Sequence, residues 1–324
     1  MASTTQNYPA RLARILRSPL GWLVVGVIVV GVPSALAGAS PALALASTVL
    51  ALIAYWGVMR FIARRATPEI SSRGAGRDLL RGVGVGAAFL LVSIALITVV
   101  GGYRFTAHGA VGAGALPGLV TVAITGALTE ELLFRGLVFQ AVEQLRGPRT
   151  ALVISSLLFG LAHLANPGAT LWSSLAVAIE AGGLMGAAFL WRRSLWLVTA
   201  LHAAWNGLEQ LFGIPVSGHV DPSLLITSVH GPAILTGGDF GLEASVIPVL
   251  ISLVITVTLL RAARSRRGSG APNEARHGVA GQLADGTARI RRRDMAADDA
   301  LLDSERIVAT AQPPFPAHFV KKRL

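Results

Sequence analysis

Apolar residues in this 324-residue chain come in long unbroken runs, unlike the stripe of a surface helix or the alternation of a half-buried strand. Crossing a hydrocarbon core of about 30 Å takes roughly 20 helical residues. Runs of that order recur eight times, at Leu20 to Ala37, Pro41 to Met59, Leu79 to Val100, Leu116 to Leu145, Thr150 to Leu164, Leu171 to Leu190, Leu195 to Phe212 and Ala244 to Leu260. The pattern predicts an all-α, polytopic transmembrane helix bundle of about eight spans. The fourth run is long and turns polar after Phe139, at Gln140, Glu143 and Gln144, and the fifth is short for a span. Three arginines, the first run and Ala35-Leu36-Ala37 also fit the outline of a cleavable signal peptide. The run is long for a signal core and leads almost directly into another span, so an uncleaved anchor is the expectation.

Charge in the connections alternates with the spans. Arg11, Arg14 and Arg17 precede the first span, and no arginine or lysine lies around Ala39. Arg60, Arg64, Arg65, Arg73, Arg77 and Arg81 surround the second connection, whereas the third holds only Arg104. Arg146 and Arg149 mark the fourth, none marks the fifth, and Arg192 and Arg193 fill the sixth. The seventh carries Asp221, Asp239 and Glu243 without Lys or Arg, and Arg261, Arg264, Arg266 and Arg267 follow the last span. Because basic residues are retained on the cytoplasmic side, this alternation predicts a multi-pass protein of the cell membrane with both termini cytoplasmic. Residues 1–19 form a cytoplasmic N-terminal segment, 20–262 the membrane domain, and 263–324 a basic tail. That tail is polar and small-residue-rich from about Gly268, which predicts disorder and attraction to lipid headgroups.

Composition narrows the chemistry. Hydrophobic residues make up 53% and charged residues 14% of the chain, outside the range of ordinary soluble domains. A net charge of +11 would suggest nucleic acid in a soluble protein. Here the arginines lie between apolar runs and in the tail, so anionic lipid is the expected counter-charge and nucleic acid is not. With no cysteine, there is no disulfide framework, thiol nucleophile or thiolate metal site.

Against that background the polar residues inside spans stand out, since a charge near the bilayer centre costs about 2.5 to 3.5 kcal/mol on insertion scales. They are Glu130, Glu131 and Arg135 in the fourth span, His163 near the end of the fifth, Glu180 in the sixth, and His202, Asn206, Glu209 and Gln210 in the seventh. Glu131 and Arg135, four apart, share a helix face and can pair. Glu130 points about 100° away and needs another partner. His163 and the His202/Asn206 pair can supply one from neighbouring helices. Singly, each has a bland reading: a salt bridge that holds a helix, a packing histidine, an amide serving as interhelical glue. Jointly they have the chemistry of peptide hydrolysis, with Glu130 as general base for water, His163 to hold the water or a metal, and His202 and Asn206 to donate to the oxyanion. Glu130, His163 and His202 could furnish three zinc ligands, but no histidine-flanked glutamate on one helix requires a metal. Glu209 is expected to be solvated near the membrane exit, and Glu180 to pair or line a cavity.

Glu130-Glu131-x3-Arg135, Phe159-x3-His163 and His202-x3-Asn206 resemble, in order and spacing, the signature of the CPBP family, the CAAX proteases and bacteriocin-processing enzymes, also called the ABI family. The resemblance covers about Gly112 to Phe212. It implies a glutamate-dependent intramembrane endopeptidase, of a family commonly described as metalloproteases, acting on a membrane-associated peptide or protein. Which substrate does not follow from it. A membrane transporter, whose intramembrane acids and histidines would line a pathway, and a non-catalytic scaffold or immunity protein are the alternatives. No evident repeat relates the first four spans to the last four, and Glu130 and His163 are both intact.

Overall fold

The computed structural model describes residues 8–35, 40–107 and 116–268. The tail expected from about Gly268 onward therefore lies almost wholly outside the described residues. The order is α1 (Tyr8–Arg17), α2 (Pro19–Ala35), α3 (Pro41–Gly57, continuing as a π-helical turn Val58–Ile62), α4 (Ala75–Val99) and β1 (Tyr103–Ala107). Next come α5 (Leu116–Glu131), a π-helical segment Leu132–Phe139, α6 (Gln140–Arg146) and α7 (Pro148–Ala162). The sixth run is α8 (Leu171–Val177), a π-helical turn Ala178–Gly183 and α9 (Leu184–Arg192). The chain closes with α10 (Leu195–Phe212), β2 (Leu225–Val229), α11 (Ala233–Thr236) and α12 (Val246–Gly268).

Among the described residues six helices are long and apolar enough to cross a membrane, and a pair bent by 73° between Arg11–Arg17 and Pro19–Pro33 makes a seventh. The seventh expected span, Leu195–Phe212, forms a helix but does not reach that apolarity. Its polar residues explain the difference. His202, Glu209 and Gln210 are buried where α10 packs on α4, α5 and α9, so protein rather than lipid surrounds them. A helix enclosed in this way is free to carry groups that lipid would exclude. Ser18 accepts from Gly21 N at 3.1 Å as Pro19 opens α2, the hydroxyl-then-proline arrangement of a helix start.

Cross-links between connections sort the two ends of the bundle. At one end, the second and fourth connections meet where Arg65 Nη2 donates to Gln140 at 2.8 Å. The second and sixth meet at the Arg192–Asp78 pair, 2.9 Å, and the fourth and sixth at the Arg193–Glu143 pair. At the other end β1 and β2 pair antiparallel, from Tyr103 opposite Val229 to Ala107 opposite Leu225, joining the third and seventh connections. Asn166 of the fifth bonds Ser217 O of the seventh at 3.0 Å. Odd connections thus bond odd ones and even bond even, the parity that the arginine alternation requires.

The α4–α10 contact seats the helix that carries His202. A Cβ on Gly86 would stand 2.4 Å from Leu201 O, so only glycine permits this approach, in the manner of small-residue packing between membrane helices. Phe89 and Trp205 continue the contact with ring centroids 4.7 Å apart. Gly84, two residues away, meets nothing within 4 Å. Gly86→Val is expected to cost about 1–3 kcal/mol through overpacking and to lower the thermal unfolding midpoint in detergent. Gly84→Val leaves that midpoint close to the parent, and equal behaviour of the two variants would contradict this packing.

Candidate active site

Glu130 and Glu131 close α5, and the backbone passes at once into the π-helical segment Leu132–Phe139. Such turns recur at functional sites because they re-aim side chains within a continuous helix. Glu131 and Arg135 are both buried, with Arg135 Nη1 donating to Glu131 Oε1 at 2.8 Å. Arg135 Nη2 donates to Ala181 O at 2.8 Å and Gly182 O at 3.3 Å in the π-helical turn of the sixth span. The guanidinium also lies 4.6 Å from the centroid of the Phe159 ring, a cation–π contact. A buried ion pair is tolerable only when further hydrogen bonds satisfy its remaining groups; the two carbonyls satisfy Arg135 Nη2, while Arg135 Nε and Glu131 Oε2 are buried without a hydrogen-bond partner.

Phe159 is the spacer of the site. Its ring lies 4.8 Å from Phe134, 4.7 Å from the His163 ring and 6.1 Å from the His202 ring. One turn on, at the end of α7, His163 Nδ1 lies 2.8 Å from Phe159 O. A carbonyl only accepts, so Nδ1 carries a proton and Nε2 is turned toward Glu130. His202 Nδ1 lies 3.0 Å from Glu131 Oε1, and the same logic leaves its Nε2 facing Glu130. Glu131 therefore orients His202 while Arg135 holds Glu131.

Glu130 Oε2 stands 4.0 Å from His163 Nε2 and 3.9 Å from His202 Nε2, and the atom is buried without a hydrogen-bond partner. These separations exceed direct hydrogen bonds. A water at about 2.8 Å from each atom spans such gaps. Tetrahedral zinc ligands, with bonds of about 2.0–2.2 Å, stand only about 3.4 Å apart. Among the described residues no group of three His, Asp or Glu is placed to hold a metal ion. Glu130, His163 and His202 as placed therefore do not fit the zinc site that their residue types allow. The Glu130 side chain is 35% exposed, which leaves the cluster open to a reactant. Asn206 lies one turn beyond His202 on α10, and its Oδ1 is buried without a hydrogen-bond partner.

The structure thus gathers Glu130, Glu131, Arg135, His163 and His202, with Asn206 adjacent on the His202 helix. It differs from the sequence expectation at Glu209, which is fully buried rather than solvated. Residues after Phe212 fold back over that end of α10, where Ile214 N bonds Glu209 O at 2.9 Å. Glu180 is fully buried as well, and its carboxylate has no hydrogen-bond partner. Glu243, read from sequence only as a loop acid, is buried too and accepts from Ser217 Oγ at 2.5 Å. Burial pushes its carboxyl above the ordinary range, while Ser217 and the His163 and His202 imidazoles pull it back. No spacing in the sequence links it to the three motifs.

Residues 112–208 match the family model described as type II CAAX prenyl endopeptidase, Rce1-like, in agreement with the CPBP resemblance carried by the three motifs. Neither a curated protein nor a solved structure matches the chain.

The ion pair generates a stability prediction. Arg135→Gln leaves Glu131 buried without its partner and is expected to cost about 3–5 kcal/mol, seen as a lower thermal midpoint in detergent. The double variant Glu131→Leu/Arg135→Met recovers most of that loss, because apolar replacement of both charges removes the desolvation penalty. An Arg135→Gln variant as stable as the parent would contradict the buried pair.

Proposed function

We propose that this multi-pass membrane protein is an intramembrane endopeptidase that hydrolyses a peptide bond of a membrane-associated or lipidated substrate with a glutamate-activated water. The observation that carries the reading is the water-sized space between Glu130 Oε2 and the two imidazole Nε2 atoms, 4.0 and 3.9 Å away. The family match over residues 112–208 supports the reaction class.

In this reading the water gives one hydrogen bond to Glu130 Oε2 and one to His163 Nε2, which leaves a lone pair for the scissile carbonyl carbon. As the C–O bond forms, Glu130 takes the proton. The carbonyl oxygen becomes an oxyanion and receives hydrogen bonds from the His202 imidazolium Nε2–H and the Asn206 amide. The Glu131 carboxylate on Nδ1, fixed by Arg135, supports the charge on His202. When the intermediate collapses the C–N bond breaks, and Glu130 returns its proton to the departing nitrogen. The arginine-rich connections lie on the cytoplasmic side, with both termini, against anionic lipid.

Purified protein in lipid vesicles, supplied with lipidated and transmembrane peptides, tests this reading. Glu130→Gln is expected to lower cleavage by roughly 10²–10⁴-fold or more, and cleavage retained by that variant would remove the base assignment. Dialysis against a chelator is expected to leave the parent active. Loss of activity that zinc restores would instead place a metal where the water is drawn.

A further inference from the structure

A polar cluster binds the second connection to the π-helical segment Leu132–Phe139. Glu69, on the turn Pro68–Ile70, is buried, and Arg65 Nη2 pairs with its Oε1 at 2.7 Å. The buried Tyr55 hydroxyl of α3 donates to the same carboxylate. Gln140 joins from the other side, where its Oε1 accepts from Arg65 Nη2 at 2.8 Å and its Nε2 donates to Tyr55 Oη at 3.1 Å. With acceptor and donor both engaged, the Gln140 amide is held in one orientation.

That amide closes on the backbone of the site. The Gln140 backbone N–H goes to Leu137 O, where an α-helix would give it to Gly136 O. The Gly136 carbonyl receives the Gln140 side chain instead, with Nε2 at 2.9 Å. A Cβ on Gly136 would stand 2.8 Å from Tyr55 Cε2, so the cluster packs against the bare Cα as well. Gly136 directly follows Arg135, which holds Glu131 and through it His202. A π turn takes up one residue more than an α turn, so side chains beyond it are rotated from their α-helical directions. Fastening two connections together needs only the Arg65 bond. The donor end of the amide has a different target, the backbone of the π-helical segment.

We infer that Gln140 is a further positioning residue of the site. Oriented by Arg65 and Tyr55, it holds the Gly136 carbonyl out of the α-helical pattern and so keeps the π register that aims Arg135 at Glu131. The inference rests on the endopeptidase reading. Gln140 acts through Arg135 and Glu131, touches neither the water nor the substrate, and no bond of the reaction is made or broken at it. Loss of its donor returns Gly136 O to the Gln140 backbone N–H. Arg135 then turns from Glu131 and the sixth-span carbonyls, and His202 loses the support behind it.

Gln140→Met keeps the length of the side chain and stays neutral but cannot donate. In the vesicle assay it is expected to lower kcat roughly 10- to 100-fold, the scale of a misplacement of about 1 Å that arises away from the chemistry. KM stays near the parent value. Tyr55→Phe keeps the ring on Gly136 and removes one support of the amide, so it is expected to lose less kcat than Gln140→Met, and it carries the test if Gln140→Met does not fold. Arg193→Gln breaks the pair with Glu143 on α6, at the same end of the bundle. It is expected to lower the thermal unfolding midpoint and leave kcat unchanged, which separates helix register from stability. Equal losses of kcat in Gln140→Met and Arg193→Gln, or a parent-like kcat in Tyr55→Phe where Gln140→Met does not fold, overturn the inference. Cleavage that depends on Glu130 but is indifferent to Gln140→Met removes this inference alone. A parent without Glu130-dependent cleavage removes the endopeptidase reading and the inference together.

Discussion

Arg135 and Glu131 meet where four spans converge, and the site's geometry follows from that meeting. The guanidinium bonds Glu131 at the end of α5, two carbonyls of the sixth span, and the face of Phe159 on α7. Glu131 in turn holds the His202 imidazole of α10. An unpaired charge in lipid is expensive, so these partners cannot separate without leaving a buried ion behind. The penalty that makes such a pair a poor source of net stability makes it a strong constraint on where four helices stand.

Glu130 is defined by exclusion from this network. It precedes Glu131 on the same helix, yet Arg135 is engaged elsewhere, and two imidazole nitrogens stand just beyond hydrogen-bond length from its free oxygen. Each imidazole is fixed from behind, His163 by Phe159 O and His202 by Glu131. Preorganisation of this kind is what a hydrolytic site requires, because groups already oriented toward the reacting atoms need no rearrangement during the reaction. The connection between α10 and α12 is fastened beside the site, where Asn166, just past His163, donates to Ser217 O.

Much of this was legible in the chain. Apolar runs gave the spans to within a few residues, and arginine alternation anticipated which connections bond to one another. Burial cost singled out Glu130, Glu131, Arg135, His163, His202 and Asn206 together with Glu180, Glu209 and Gln210, and the spacing of the three motifs separated the first six from the rest. What escaped was nonlocal or conformational. The π-helical segments at Leu132–Phe139 and Ala178–Gly183 have no local composition that distinguishes them from α-helix. The β1–β2 pairing joins segments too short and too distant to read as strands. Seen in isolation, Glu209 at a helix end and Glu243 in a polar loop resemble solvated acids, and only the fold of the connection between α10 and α12 buries them. Residue types do not encode separations, so the sequence could weigh zinc only by the identities of Glu130, His163 and His202.

The central claim is that Glu130 and two imidazoles surround a water. The most direct measurement is an experimental structure in lipid nanodiscs at a resolution that shows ordered solvent. The account predicts a water at about 2.8 Å from Glu130 Oε2 and from the Nε2 atoms of His163 and His202. Glu130 turned toward lipid away from both histidines, or a metal ion ligated by all three side chains, would contradict it.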